Sequence, residues 1–357
     1  MLTSKERVLI ALNHKEPDRV PIGYHASKEV NDILKKYFNT NNDNVVLEKL
    51  NIDLRIVQPK YIGPSDRSYD EVWPLGKDIW GVVRKFVNNK YGKYSEIVYY
   101  PLKNVSTIEE LENYNWPSIE WFDFESIKKQ IDDFNYKNEY FVVMYFSGSI
   151  FEHSWYMRGM EQFLFDMLFN PEIASKIIEK VFNFWFKFNQ ECFRISKNNI
   201  DMARFSDDFG GQLNMLISPD LFNNFFKKYY IKFFNLCHEN NIKTYFHSCG
   251  SIEQIIPDLI DIGLDVLNPL QFSAHGFPDP KTLKTKYGKK LSFEGGMDVQ
   301  KILPFLTSEE LKSYTYKLIK ILGKDGGFIV EPSHAIQPDV KLENIISFYN
   351  AAFNFKY

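Results

Sequence analysis

The segment Lys243-Thr-Tyr-Phe-His-Ser-Cys-Gly250 is where this sequence most openly offers chemistry: a short apolar run that stops at His247, Cys249 and a glycine. Side chains alternate along a strand, so a His-x-Cys pair on extended backbone projects both side chains to one face. Imidazole nitrogen and thiolate sulfur are usual ligands of Zn²⁺, and a catalytic zinc takes three protein ligands and keeps a fourth position open. A second apolar run, Gly327-Phe-Ile-Val-Glu-Pro-Ser-His334, ends in the same manner and offers His334 as the third ligand. The pair has a plainer reading as well, a packed cysteine beside a hydrogen-bonded histidine with no metal.

The elements that must position these residues are apolar strands alternating with amphipathic helices. Candidate strands are Val20–Tyr24, Leu54–Gln58, Tyr140–Phe146, Asp201–Ser206, Lys243–Phe246, Val266–Pro269, Leu291–Phe293 and Phe328–Val330. Between them lie helical stretches such as Ala174–Ile195 and Leu221–Cys237, the latter with Ser218 as N-cap and Pro219 in its first turn. Eight such repeats predict an α/β fold, a closed (β/α)₈ TIM barrel, whose parallel strands are buried on both faces. An open doubly wound sheet is the alternative, and no G-x-G-x-x-G follows the first strand to support it. The chain reads as one barrel domain over 1–357. Residues 61–104 break the alternation and read as an inserted β-hairpin after the second strand, either a lid or wall of the site or a stabilising flap.

In such a barrel the chemistry collects where strands end. The ends here are polar: Glu152 follows the third strand, Asp207 and Asp208 the fourth, Asn268 and Gln271 the sixth, and Glu294 the seventh. Of seven histidines, His247, His275 and His334 all follow late strands, which predicts that they converge, whereas His14 and His238 read as helix-surface residues. Carboxylates that end apolar strands need a metal, a base or a substrate to repay their burial. Phe209-Gly210-Gly211 and Glu294-Gly295-Gly296-Met-Asp298 place glycine pairs beside carboxylates, either to let backbone approach a bulky ligand or to make tight turns.

Composition narrows the classes. With 357 residues, 44% hydrophobic and 25% charged, the chain has ample material for a large core. A net charge of −3 gives no electrostatic support to a nucleic-acid role. No apolar run approaches the length of a membrane span, and the first residues read as an amphipathic segment rather than a signal peptide. Three cysteines (Cys192, Cys237, Cys249) make no disulfide framework and suit a reduced cytoplasm.

Phe246-His-Ser-Cys-Gly250, Glu294-Gly-Gly-Met-Asp298, Pro332-Ser-His-Ala-Ile-Gln337 and the opening Arg7-Val-Leu-Ile-Ala-Leu-Asn-His-Lys-Glu-Pro-Asp-Arg-Val-Pro-Ile22 resemble the uroporphyrinogen decarboxylase superfamily, over nearly the whole chain. The resemblance is greater to its corrinoid-linked methyltransferases than to its decarboxylases. It implies a zinc-dependent enzyme that moves a methyl group between a small donor or acceptor (a methoxy compound, methylamine, methanol or thiol) and a corrinoid. Because the chain has no D-x-H-x-x-G cobalamin signature, that corrinoid would sit on a separate carrier protein. Under this reading His247, Cys249 and His334 hold the zinc, with Glu152 or Glu294 as a fourth ligand that substrate displaces. Asp207, Asp208 and Glu294 are the acids expected to protonate or orient substrate. Gly210, Gly295, Gly296, Asn268 and Gln271 are expected to meet the cofactor. A homodimer is also implied.

The chain departs from the superfamily pattern in two places. Pro21–Lys28 contains no arginine where decarboxylases carry an arginine-rich motif for substrate carboxylates, which argues against an eight-carboxylate porphyrinogen. His334 stands where the thiol methyltransferases place a cysteine, and a His₂Cys zinc is less electron-rich than His-Cys₂, which argues against a thiol acceptor. Two other readings remain open: decarboxylation of a tetrapyrrole, and a non-catalytic protein that only docks a corrinoid carrier.

Overall fold

In the computed structural model, residues 2–69, 75–89, 92–135 and 137–357 are described; Trp73, Lys90 and Tyr91 lie outside them. Seven parallel strands form one curved sheet in chain order: β1 (Leu54–Val57), β2 (Phe141–Gly148), β3 (Met202–Ser206), β4 (Lys243–His247), β5 (Val266–Asn268), β6 (Ser292–Met297) and β7 (Phe328–Pro332). The first expected strand survives as a single parallel bridge, Ile22 to Val330. It nonetheless bonds to both sheet edges. Gly23 N donates to Val330 O at 2.9 Å and Val330 N to Pro21 O at 2.9 Å, while Asp53 N donates to Ile22 O at 3.0 Å. Pro21 has no N–H to extend the ladder. The arrangement is the expected (β/α)₈ barrel with its first strand much shortened.

Side-chain alternation sorts the strands into an outer and an inner face. Outward residues such as Val142, Met144, Ala203 and Phe246 join the large core beneath the surrounding helices. Inward residues form layers. The lowest is apolar, with Leu54, Phe141, Val143, Met202, Val266 and Ile329 packed in one cluster. The helix Ser4–Leu12 seals that end with Val8 and Leu12, and its Thr3 cap with Glu6 makes a reciprocal capping box. One step further along each strand the inward residues turn polar: Arg204 pairs in register with Tyr245, and Ser206 and Asn268 with His247. Gly296 pairs with Glu331.

The expected hairpin lies between β1 and β2. Val83–Asn89 pairs antiparallel with Gly92–Tyr99, and Gly76–Lys77 adds a third short strand. Residues 219–239 run as one helical stretch, started as expected by Ser218, whose hydroxyl accepts from Leu221 N at 3.2 Å. Among the described residues no helix is long and apolar enough to cross a membrane.

Candidate active site

The polar inner layer opens into a cavity of about 650 Å³ at the C-terminal ends of the strands. His247, the last residue of β4, is held by Asn268 at the end of the neighbouring β5. Asn268 Nδ2 donates to Glu294 O at 3.1 Å, which turns the amide oxygen toward His247 Nδ1 at 2.6 Å. An amide oxygen can only accept, so Nδ1 carries the proton and Nε2 keeps its lone pair. Orienting a metal-binding imidazole through its other nitrogen is the usual outer-shell arrangement. Nε2 lies 3.4 Å from Cys249 Sγ and 3.8 Å from Asp208 Oδ1.

Asp208, His247 and Cys249 are the one group of three metal-ligating side chains found among the described residues, with ligand atoms all within 4.8 Å of one another. Backbone fixes their spacing. Asp208 Oδ1 accepts from Cys249 N at 2.7 Å. The two loops carrying these residues touch so closely that a Cβ on Gly210 would lie 2.4 Å from Cys249 O. Gly250 adopts φ +82, a conformation natural to glycine. Burial, then Asp208 and Glu152, push the Cys249 thiol up. A buried thiol beside two acids becomes a thiolate when a cation takes up its charge, so the N, S, O donor set suits zinc.

The floor of the cavity is a buried charge cluster. Arg204, inward from β3, contacts Glu294 Oε1 and lies 3.8 Å from Glu331 Oε1, with its guanidinium 4.8 Å from the Tyr245 ring centre. Glu294 and Glu331 are 0% and 2% exposed, and Glu294 Oε2 and Glu331 Oε1 accept no hydrogen bond. Burial, then the neighbouring Glu294, push Glu331 well above the ordinary carboxyl range. His25 also lines the floor, its ring 5.8 Å from that of His334, and burial lowers it to about 3, so it is neutral at pH 7.

One wall comes from the helix Phe151–Arg158 and the hairpin. Helix residues His153 and Tyr156 line the cavity; His153 Nδ1 lies 2.8 Å from Ser149 O, and its ring centre is 5.0 Å from that of Trp80. From the hairpin, Arg84 reaches in over the Tyr156 ring at 4.6 Å and is ion-paired to Asp78 at 2.8 Å. The inserted segment therefore forms part of the cavity wall. Glu152 takes a hydrogen bond from Tyr156 at 2.5 Å; burial and Asp208 raise its carboxyl to about 7, while burial raises Asp208 to about 6.

Several expected site residues occupy different places. Asp207 is buried beneath the cavity wall rather than in the cavity. Its carboxylate accepts the backbone N–H groups of Ile150, Phe151 and Glu152, each at 2.8 Å, and the hydroxyls of Ser149 and Tyr230. It pins the start of the helix that carries Glu152, so its work is positioning. Glu294 is engaged by Arg204 below the cavity lining. His334 lines the cavity, but its ring stands outside the ligand group, where Asp208 takes the third place. Glu152 lines the cavity and is likewise outside that group.

Of the residues expected to meet a cofactor, Gly210 and Asn268 line the cavity, whereas Gly295, Gly296 and Gln271 do not. A Cβ on Gly295 would lie 2.2 Å from Pro269 O, so strand packing requires that glycine. Gln271 accepts from Gly250 N at 2.8 Å and braces the Cys249 loop. His275 is exposed on a loop away from the cavity, and its convergence with His247 and His334 does not occur. His238 pairs with Asp265 on the surface at 2.9 Å, in keeping with a helix-surface position. Sequence reasoning missed Arg204 and Arg84. An arginine inside the apolar run Met202-Ala-Arg-Phe-Ser206 was the available signal for the first.

The chain belongs to the uroporphyrinogen decarboxylase (URO-D) family, which it matches over residues 87–355. No curated protein matches it. Among solved structures it is similar to a methyltransferase from Methanosarcina mazei, with a TM-score of 0.69 at 15% identity over 99% of both chains. Looser likenesses are to the IolI protein with a bound zinc atom (TM-score 0.39, 13% identity, 69% of this chain and 83% of that one). Another is to 7,8-dihydropteroate synthase from Vibrio fischeri (TM-score 0.32, 11% identity, 94% and 92% covered).

Proposed function

We propose that this URO-D family member is a zinc-dependent methyltransferase that moves a methyl group between a small substrate and a corrinoid held on a partner protein. The observation that carries the reading is the grouping of His247 Nε2, Cys249 Sγ and an Asp208 oxygen within 4.8 Å at the mouth of the barrel. The end-to-end fold likeness to a protein named as a methyltransferase supports it. Bound zinc would act as a Lewis acid that lowers the pKa of a coordinated group or polarises a leaving group.

The chain's own residues do the rest. Asn268 keeps the proton on His247 Nδ1, so that Nε2 is free to ligate. Asp207 fixes the helix that carries Glu152. Glu152, raised to about 7 by burial and by Asp208, is placed to hold or give up a proton near neutral pH. Tyr156 donates to Glu152 and sets its orientation.

Decarboxylation of a tetrapyrrole is the weaker reading because of charge. The cavity lining carries two arginines, Arg84 and Arg204, against five carboxylates, and both arginines already face acids. A substrate bearing many carboxylates would find no unpaired arginine among the described lining residues to receive it. The test is methyl transfer to cob(I)alamin from a panel of methyl donors, followed by the absorbance of the methylated corrinoid. Transfer by the wild type and none by Cys249→Ala is the expected result. Conversion of uroporphyrinogen with no methyl transfer would overturn the assignment.

A further inference from the structure

The wall shared by the hairpin and the helix Phe151–Arg158 carries two polar groups that the proposed transfer does not use. His153 Nδ1 lies 2.8 Å from Ser149 O, and a carbonyl oxygen can only accept, so Nδ1 holds the proton and Nε2 presents a lone pair. Among the described residues Nε2 has no hydrogen-bond partner, and His153 lines the cavity. Burial, reinforced by the nearby Arg84 charge, lowers the imidazole to about 3, so at neutral pH it is an acceptor and not a cation.

Arg84 meets the same tyrosine as His153. Its guanidinium lies 4.6 Å over the Tyr156 ring, and the His153 ring contacts that ring edge-on at 6.0 Å. Arg84 Nη1 donates to Asp78 at 2.8 Å, and Asp78 also accepts from Trp80 N and Val82 N, each at 2.9 Å, so this carboxylate is fully engaged inside the hairpin. A guanidinium carries further N–H donors in a fixed fork, and among the described residues Nε and Nη2 of Arg84 reach no acceptor although the side chain lines the cavity. Because Asp78 matches its charge, the fork offers hydrogen bonds more than net charge. The wall thus presents a donor and an acceptor of fixed polarity. A neutral hydroxyl complements both, since its oxygen accepts from the fork and its proton goes to Nε2. A carboxylate or an ether has no proton to give, and an ammonium has no lone pair to offer.

We propose that Arg84 and His153 form a subsite for a neutral hydroxyl on the part of the substrate that does not react, so that the hairpin inserted between β1 and β2 supplies a specificity residue. Neither residue belongs to the group of Asp208, His247 and Cys249. The biological sense of the subsite rests on the methyltransferase reading; its hydrogen bonding does not.

The test is calorimetric titration of the full chain with phenol, anisole and benzoate, which carry on one ring a hydroxyl, an ether oxygen and a carboxylate in turn. Phenol should bind at least about ten-fold more tightly than the other two, because a probe without the proton leaves the His153 acceptor unpaired. His153→Phe, which keeps a ring in the same packing, should abolish the preference for phenol over anisole. Arg84→Lys, which keeps a cation on Asp78, should weaken phenol and anisole by a similar factor, and both variants should keep the zinc content of the wild type. No binding of phenol, equal binding of anisole, tighter binding of benzoate, or a preference that survives His153→Phe overturns the proposal. Methyl transfer to cob(I)alamin is read separately. Transfer without a phenol preference would overturn the subsite and leave the methyltransferase reading standing, whereas a phenol preference in a chain that transfers no methyl would support the subsite and remove that reading.

Discussion

The two ends of the barrel both carry buried acids, and they treat them in opposite ways. At the N-terminal end, Asp53, Asp201 and Asp265 each stand just before a strand and accept an N–H from a neighbouring strand or its leader: Ile22 N at 2.9 Å, Val142 N at 2.8 Å and Thr244 N at 2.9 Å. Each also has a cation. Arg7 and Arg19 bracket Asp53, Lys5 meets Asp201, and Lys243 with His238 meets Asp265. At the C-terminal end burial raises Asp208 to about 6, Glu152 to about 7 and Glu331 well above the ordinary range; at the other end it raises Asp201 as well, against the pull of Lys5. Glu331 Oε1 accepts no hydrogen bond. Matched acids staple strands, and under-matched acids await a ligand. The division agrees with the barrel rule that one end serves stability and the other chemistry.

Mutations at the two ends should separate cleanly. The largest effect on folding is expected for Asp53→Ala, which strands Arg19 as a buried charge and leaves Arg7 with Asp18 alone; roughly 3–5 kcal/mol should be lost in denaturant unfolding. Next is Asp265→Asn. Burial works to raise Asp265, but its bonds to His238, Thr244 N and Lys243 outweigh that and hold it at about 2, below the ordinary 3.8. A depressed carboxyl stabilises fully above its unfolded value and loses that contribution as pH falls through its folded one. The wild type should therefore exceed the variant by about 2 kcal/mol at neutral pH, with the gap closing between pH ~4 and ~2. The smallest is Glu331→Gln, where burial and Glu294 already hold the carboxyl neutral at pH 7 and the amide replaces it with a neutral group of the same shape. Its unfolding free energy should stay within about 1 kcal/mol of wild type at pH 7. A loss as large as that of Asp53→Ala would erase the distinction between the two ends.

Local patterns found most of the scaffold. Apolar runs locate the seven sheet strands, while the eighth, Val20–Tyr24, is reduced to the bridge at Ile22; the Ser218-Pro219 start and the 61–104 interruption are legible from residues close in sequence. His247 and Cys249 do meet, at 3.4 Å, but only His247 lies in β4, and Cys249 follows on a loop braced by Asp208 and Gln271 rather than by strand alternation. What escaped depends on distant partners. Asp207 and Asp208 look equivalent in sequence, yet one receives five donors from residues 149–152 and 230 while the other faces the cavity. The likeness of strand endings points to His334, and only the three-dimensional path of the loops brings Asp208 to the pair. The opening motif around Arg7 and Arg19 carries only a resemblance in the sequence; in the fold both arginines pair with Asp53 at the closed end.

The central claim concerns the metal group, and elemental mass spectrometry of the zinc-reconstituted chain tests it directly. The account predicts about one zinc per chain in the wild type, near-complete loss in Cys249→Ala, strong loss in Asp208→Asn and retention in His334→Ala. Zinc absent from the wild type, or kept at full stoichiometry in Cys249→Ala, would contradict it.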